Sequence, residues 1–546
     1  MCIRDRFNAA NTHTIYLYYY RGSDIFCEYN GVLAVKDTSR LVLSFQDALP
    51  QENLAALVTQ YQFPHPLLQN SFLPETLYFI LPDNPTELDL TIAAKVAAVL
   101  GRNSPFVNLK IQTLTANQIS ENMLANTGAV VIGSPQQNSF LRSLYQNKGL
   151  LTELTPDGTR IAGLTDEEGV LQIVRSYINN KVAFLVVAAN TPQGLARAGD
   201  ALARPPIVGL SGKLFIAKAA YPQLVASEQS KSIFRFSDLN FRELVVYGRT
   251  QQSRSLLFYV PRDWVLQDGA KVIINYANSA NLSFINSSIT VMLNGSPIST
   301  LVLDEKPGEK QITIPIPKEN IRVGTLNILR FDVILDKELD CALYQPLASW
   351  ITIRDSSLLF LPYEVNADLD KVPPIPNPIF YLGYEQNPVL FILPDQPSAD
   401  EMNGMINMAR LLGSFMQRPE INFEVKLNPP FDPNLFSGKN LALIGLPTRN
   451  SVLAAINDQL LQPFVPGENN LTLKEQLGQY RIEHGISLGL LQVITAPWDK
   501  LRGITVVSGT TDEGLKWAFD KINVPDSGYN FNGALAFISS RIEIFE

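Results

Sequence analysis

Sugar recognition calls for flat aromatic rings that meet the C–H faces of pyranoses, with amides and carboxylates to pair with hydroxyls. Residues 223–370 supply both kinds of group, and Tyr247, Trp264, Tyr276, Asn278 and Trp350 are the candidate carbohydrate-binding residues. The plainer reading of each Trp is core packing at a domain seam, because large aromatics are mostly buried. Tyr276-Ala-Asn-Ser279 ends an apolar run, which predicts a rim position for Tyr276. Hydrolysis of a glycosidic bond would need two carboxylates held at a defined separation. Asp238, Asp263, Asp340 and Asp355 are available, but no spacing singles out a pair.

Other chemistry is poorly provided for. The three His (His13, His65, His484) are far apart in sequence, and three Cys leave little for a Cys/His zinc site. Cys27 and Cys341 read as small buried hydrophobes. Gly209-Leu-Ser-Gly-Lys213 fails as a phosphate loop, with Ile207 where the first glycine is required and Leu214 where Ser/Thr is required. Asn281, Asn286, Asn294 and Asn470 open glycosylation-type triplets that arise often by chance. No catalytic residue, cofactor site or metal site is assigned. Lys+Arg total 44 against 52 Asp+Glu, a net charge of −8, with no strongly basic run, which argues against nucleic acid as the main partner. The apolar share is 46% and the charged share 18%, as in globular domains, and no 18-residue apolar stretch occurs.

The elements that would position such residues come from a duplication. Leu77-Tyr-Phe-Ile-Leu-Pro-Asp83 returns as Val389-Leu-Phe-Ile-Leu-Pro-Asp395, and Gly133 returns as Gly445, both 312 residues on. Gly169-Val-Leu-Gln-Ile-Val174 returns as Gly489-Leu-Leu-Gln-Val-Ile494, and Thr191–Gly194 as Thr511–Gly514, both 320 residues on. A period this long is a copied pair of domains and not a solenoid. Within each copy, apolar runs alternate with helical patterns, which predicts a mostly parallel sheet covered on both faces. Thr86 with Asp89, and Ser398 with Glu401, are predicted helix caps; Gly101 and Gly413 are predicted stops. The first strand-to-helix turns, Pro82-Asp-Asn-Pro85 and Pro394-Asp-Gln-Pro397, lack glycine and carry two prolines, which speaks against a flavin or dinucleotide there. Residues 230–365 read instead as strands at roughly ten-residue spacing with an Asn294-Gly295 hairpin, a sandwich or jelly roll.

The runs Phe236-Ser-Asp-Leu239, Phe258-Tyr-Val-Pro-Arg-Asp-Trp264, Gly269–Val272, Tyr276–Ser279, Ser288-Ile-Thr-Val-Met-Leu-Asn-Gly295, Ile314-Pro315, Gly324–Asn327, Cys341 and Trp350-Ile-Thr-Ile-Arg-Asp-Ser-Ser357 resemble the family of periplasmic accessory subunits of bacterial cellulose synthase. The resemblance implies carbohydrate-binding-like jelly rolls alternating with flavodoxin-like α/β domains, twice. The expected domains are 1–70 (the last part of a truncated first jelly roll, with about six foreign leading residues), 71–222 (α/β), 223–370 (second jelly roll) and 371–546 (α/β). It further implies a non-catalytic periplasmic protein that partners the membrane-embedded catalytic subunit and guides β-1,4-glucan. In the family a C-terminal helix, not found in this sequence, anchors the protein to the inner membrane, and several copies assemble side by side. The family has carried a cyclic di-GMP-binding label, but no arginine-rich motif followed by Asp-x-Ser-x-x-Gly occurs here. The alternatives are a glycoside hydrolase and a general polysaccharide-binding surface protein. On this reading Tyr276→Ala weakens cello-oligosaccharide binding, checked by titration. A hydrolase instead releases reducing sugar from the same oligosaccharides.

Overall fold

The protein is described by a computed structural model. It covers residues 67–68, 75–104, 109–147, 149–179, 181–203, 214–218, 232–239, 241–247, 250–279, 287–303, 306–335, 350–366, 388–416, 421–475, 478–481, 483–523, 534–539 and 543–545. Most of segment 1–70, Cys27, Cys341, His13, His65, Asp340 and the Gly209–Lys213 run lie outside these residues.

In the first α/β unit the apolar run becomes β1 (Glu75–Leu81), and α1 (Glu87–Asn103) follows it. The Thr86 hydroxyl accepts from the Asp89 N–H while the Asp89 carboxylate accepts from the Thr86 N–H, a full capping box. Then come β2 (Leu109–Thr115), β3 (Gly128–Gly133), α2 (Ser139–Gln146), β4 (Gly169–Arg175), β5 (Ala183–Ala189), α3 (Pro192–Ala203) and β6 (Leu214–Ala217). The sheet order is β2-β1-β3-β5-β4-β6. β2, β1, β3 and β5 are parallel, whereas β4 runs antiparallel to both β5 and β6. The expected parallel sheet therefore ends in antiparallel strands, because the β4-to-β5 connection is too short for a parallel crossover.

The β unit holds β7 (Ile233–Arg235), β8 (Leu244–Tyr247), β9 (Thr250–Tyr259), β10 (Trp264–Leu266), β11 (Lys271–Asn278), β12 (Ser288–Leu293), β13 (Ser296–Val302), β14 (Gly308–Pro315), β15 (Leu326–Leu335), β16 (Trp350–Ile353), β17 (Leu358–Phe360) and β18 (Tyr363–Val365). One sheet orders β13-β12-β15-β9; the other is built on β11, with β14 on one side and β16 and β17 on the other, flanked by β8 and β7. Asn294 and Gly295 both take positive φ in the β12–β13 turn, as an Asn-Gly hairpin requires. Alternate residues of the two sheets, among them Phe258, Val272, Ile274, Val291, Phe331 and Ile351, meet in one core with Phe236 from the turn after β7.

The second α/β unit repeats the first: β19 (Val389–Leu393), α4 (Ala399–Phe415), β20 (Phe423–Leu427), α5 (Pro433–Phe436), β21 (Asn440–Ile444), α6 (Ser451–Ala455), the hairpin β22 (Thr472–Glu475) and β23 (Gly478–Arg481), β24 (Gly489–Ala496), β25 (Asp499–Gly509), α7 (Asp512–Asn523), β26 (Leu535–Ile538) and β27 (Glu543–Phe545). Its order, β20-β19-β21-β25-β24-β26-β27, matches the first sheet with one added edge strand.

The two α/β units share a hydrophobic core across α1 and α4. Gly101 and Gly413 do not stop these helices, which run on to Asn103 and Phe415. Each glycine instead admits the other helix: a Cβ on Gly101 would overlap the Arg410 carbonyl, and one on Gly413 the backbone of Ala98. Gly101 and Gly413 are 312 apart, and so are Ala98 and Arg410, so the seam has a pseudo-two-fold axis. The edge strands are sealed with the same reciprocity. The Val425 N–H donates to Thr91 Oγ1 (2.9 Å) and the Thr113 N–H to Asn403 Oδ1 (3.2 Å). Asn407 also donates to the Ile111 carbonyl (3.0 Å), and the Leu427 N–H to Glu87 (2.9 Å). Thus β2 and β20, the exposed edges of two separate sheets, are each closed by a helix of the other unit.

Gly101→Val and Gly413→Val are expected to lower stability alike, each by about 1–3 kcal/mol or more, because neither backbone can retreat. Thermal or urea unfolding of the whole chain measures this; two unaffected melts would remove the seam from the account.

Candidate functional site

Side-chain alternation divides each strand of the β11 sheet between core and outer face. Val272, Ile274 and Tyr276 point into the core, as do Leu244, Val246, Ile351 and Ile353. The opposite parity, Lys271, Ile273 and Asn275 with Val245, Tyr247 and Trp350, forms the outer face. Trp350 and Tyr247 are directly paired across β16 and β8. Tyr247 is 60% exposed, and Trp350 is fixed by Ser279, whose hydroxyl accepts from the Trp350 N–H (3.0 Å).

Four residues along the same strands, roughly 14 Å away at the usual rise, the face turns polar. A shallow groove of about 500 Å³ is lined by Asn275, Glu309, Lys310, Gln311, Arg354 and Ser356. Gln311 donates its amide to Asn275 Oδ1 (2.9 Å), and Asn275 donates to the Ser356 carbonyl (3.0 Å). Arg354 donates to both Glu243 oxygens (3.2 and 3.3 Å) and to Glu309. Glu309 and then Glu243 hold the guanidinium above its ordinary pKa. Planar amides and a bridged guanidinium on a flat face, beside two rings, can meet hydroxyls and C–H faces in series.

The structure brings together two of the five sequence candidates, Tyr247 and Trp350. Tyr276 is a correction: it is 6% exposed, in the core, with Lys310 Nζ 5.9 Å from its ring centroid, because its parity is that of Val272 and Ile274. Asn278 is fully buried and accepts from Lys310 Nζ (2.9 Å). Trp264 lies on the separate β10–β18 ribbon, stacked on Tyr363 at 3.4 Å and against Phe234 at 6.3 Å, so protein rings already occupy it. Of the carboxylate candidates, Asp263 belongs to that ribbon's approach, while Asp238 and Asp355 sit near the contact in which the Ser237 N–H donates to the Asp355 carbonyl. Sequence reading missed Asn275, Gln311 and Arg354; the alternation through Val272, Ile274 and Tyr276 was the signal that turns Asn275 outward.

In the α/β units the described residues fill the crevice where such sheets hold ligands, the carboxyl ends of the first and third strands. Asn138 fills it in the first unit, donating to the Ile132 (2.8 Å) and Ile80 (3.4 Å) carbonyls while its oxygen caps α2. Asn450 does the same in the second, on Ile444 (3.0 Å) and Ile392 (3.2 Å). Gly133 and Gly445, at φ 126 and 123, let Pro82 and Pro394 close over them. The capping carboxyls beside these crevices, Asp89 and Glu401, are buried, and burial pushes both above their ordinary pKa values; Arg449, which donates to Glu401 at 2.9 Å, pulls the other way. Among the described residues no group of His, Cys, Asp and Glu could hold a metal ion, and no helix is long and apolar enough to cross a membrane. His484 is exposed, with Glu468 3.9 Å away.

The fold defines a two-sheet β domain that lies in sequence between two paired α/β units, and one comparison bears on its class. Residues 229–365 match the family described as Cellulose synthase BcsB, first CBM domain. That match, over the β unit, supports the cellulose synthase BcsB family for this chain. A stretch of 182 residues is 26% identical to Uncharacterized protein YdaN of Bacillus subtilis (strain 168), covering 33% of this chain. The chain spans about a quarter of that curated relative's length (25%). Among solved structures, a family two carbohydrate esterase from Cellvibrio japonicus is 12% identical, with coverage of 37% and 66% of the two chains and a TM-score of 0.11. The Clostridium thermocellum family two esterase in complex with cellohexaose is 9% identical, with coverage of 40% and 66% and a TM-score of 0.13. Likenesses this slight carry nothing over to this chain.

Two measurements test the site's construction. Tyr276→Ala is expected to cost about 3 kcal/mol of stability as a buried ring is lost, whereas Tyr247→Ala costs within about 0.5 kcal/mol; urea melts separate the two. Glu401 has its pKa raised, so the folded chain holds that proton more tightly than the unfolded chain. Its contribution is present below the ordinary value of 4.5 and is lost as pH rises through the raised value. The stability difference between wild type and Glu401→Gln is therefore expected to shift against the wild type as pH rises through that window. A pH-independent difference in thermal melts would contradict it.

Proposed function

We propose that this chain is a non-catalytic accessory subunit of a bacterial cellulose synthase complex, acting in the periplasm beside the inner membrane. It partners the membrane-embedded catalytic subunit, and the outer face of the β unit guides the nascent β-1,4-glucan. The observation that carries this reading is the match of residues 229–365 to the BcsB carbohydrate-binding domain. Its physical support is the Tyr247–Trp350 pair and the amide-lined groove, all on one face of that same unit. On this reading the β unit is a jelly roll and the α/β units are flavodoxin-like scaffolds that keep the fold without its ligand. Membrane tethering through a C-terminal anchor and side-by-side assembly of copies belong to the same proposal.

Glucan guidance requires grip without tight retention, so weak, additive contacts suit the task better than one deep pocket. Isothermal titration of the whole chain with cellohexaose is expected to show binding that Tyr247→Ala and Trp350→Ala each weaken by about tenfold, the loss of one stacking contact. Unchanged affinity in both variants would move the glucan path off this face. Turnover of cellohexaose to shorter sugars would replace the accessory reading with a hydrolase.

A further inference from the structure

We infer that Glu243 and Glu309 determine specificity on this face, by occupying Arg354 so that it takes an uncharged glycan and refuses uronate-bearing ones. The inference rests on the glycan-binding reading above. Arg354 lines the groove, and a guanidinium on an open polar surface is the natural partner of a carboxylate ligand. Here it is held from both sides, by Glu243 on β8's approach and Glu309 on β14. The two carboxylates come from strands on opposite sides of Arg354, and their side chains are 38% and 63% exposed, so their reach toward it is not forced by burial. The neighbouring cations are engaged as well: Lys310 Nζ donates to Asn278 Oδ1 (2.9 Å), and Lys271 Nζ lies 5.2 Å from the Phe360 ring centroid.

A sugar carboxylate arriving at Arg354 must therefore displace a carboxylate already bound and then lie beside it. Neutral hydroxyls face no such competition, and Asn275, Gln311 and Ser356 offer them donors and acceptors. Specificity of this kind comes from repulsion built into the site as much as from attraction.

The test is isothermal titration of the whole chain at low salt with cellohexaose and with an oligogalacturonate of equal length. The wild type is expected to bind the former and not the latter. The surface double variant Glu243→Gln/Glu309→Gln frees Arg354 and is expected to raise oligogalacturonate affinity by at least about tenfold, the worth of a charge-assisted hydrogen bond. Adding Arg354→Gln is expected to abolish that gain, and so is high salt. Wild-type binding of oligogalacturonate, or a double variant that gains none, overturns the inference. Failure of the wild type to bind cellohexaose overturns the glucan reading instead, and the gain in the double variant still decides the role of the two glutamates.

Discussion

The close approach of α1 and α4 is the constraint from which the rest of the architecture follows. Two helices can share backbone-to-backbone contact only where side chains are absent, and Gly101 and Gly413 supply that absence at symmetry-related points. Once the helices are this near, Thr91, Asn403, Asn407 and Glu87 reach the free edges of β2 and β20. An unpaired sheet edge is costly if buried and hazardous if exposed. Here each unit relieves the other of its edge, so the pair behaves as one body, and the β unit joins two halves of that body through the chain.

That body also holds the β unit by direct contact. Arg262, 4% exposed, lies against Gly324 and donates to the Lys500 carbonyl of the second α/β unit (2.6 Å). Tyr259 packs on the shared α/β core. Both belong to the Phe258–Trp264 run, so that run divides its work between the sandwich core, the joint and the Trp264–Tyr363 stack. The outer face of the β unit is thereby held in a fixed direction relative to the α/β body, as the proposed guiding role requires.

The two kinds of unit thus differ in what they leave open. In the α/β units the crevice that the topology creates is filled by Asn138 and Asn450 and roofed by Pro82 and Pro394, each polar atom satisfied from within. In the β unit the outer face of one sheet leaves Tyr247 exposed and opens the amide-lined groove among the described residues. The polar groups on this face of the sandwich are pre-paired with one another, which limits the ordering cost of the proposed binding.

Much of this was legible in the amino-acid order alone. The 312- and 320-residue repeat, the capping boxes at Thr86 and Ser398, the Asn294-Gly295 turn and most strands follow from local rules, since caps, turns and apolar periods act within a few residues. The repeat also held Asn138 with Asn450 and Gln172 with Gln492, buried pairs whose role no local rule reveals. Tertiary structure alone decided that Gly101 and Gly413 join helices and do not end them, because the missing Cβ answers to a backbone some 300 residues away. Tyr276's place in the core was legible in its parity with Val272 and Ile274, but tertiary structure alone decided that Arg354 lines the groove, since that depends on Glu243 and Glu309 arriving from neighbouring parts of the sheet. Local chemistry fixed the pieces; which surfaces remained for a ligand was set by how those pieces bury one another.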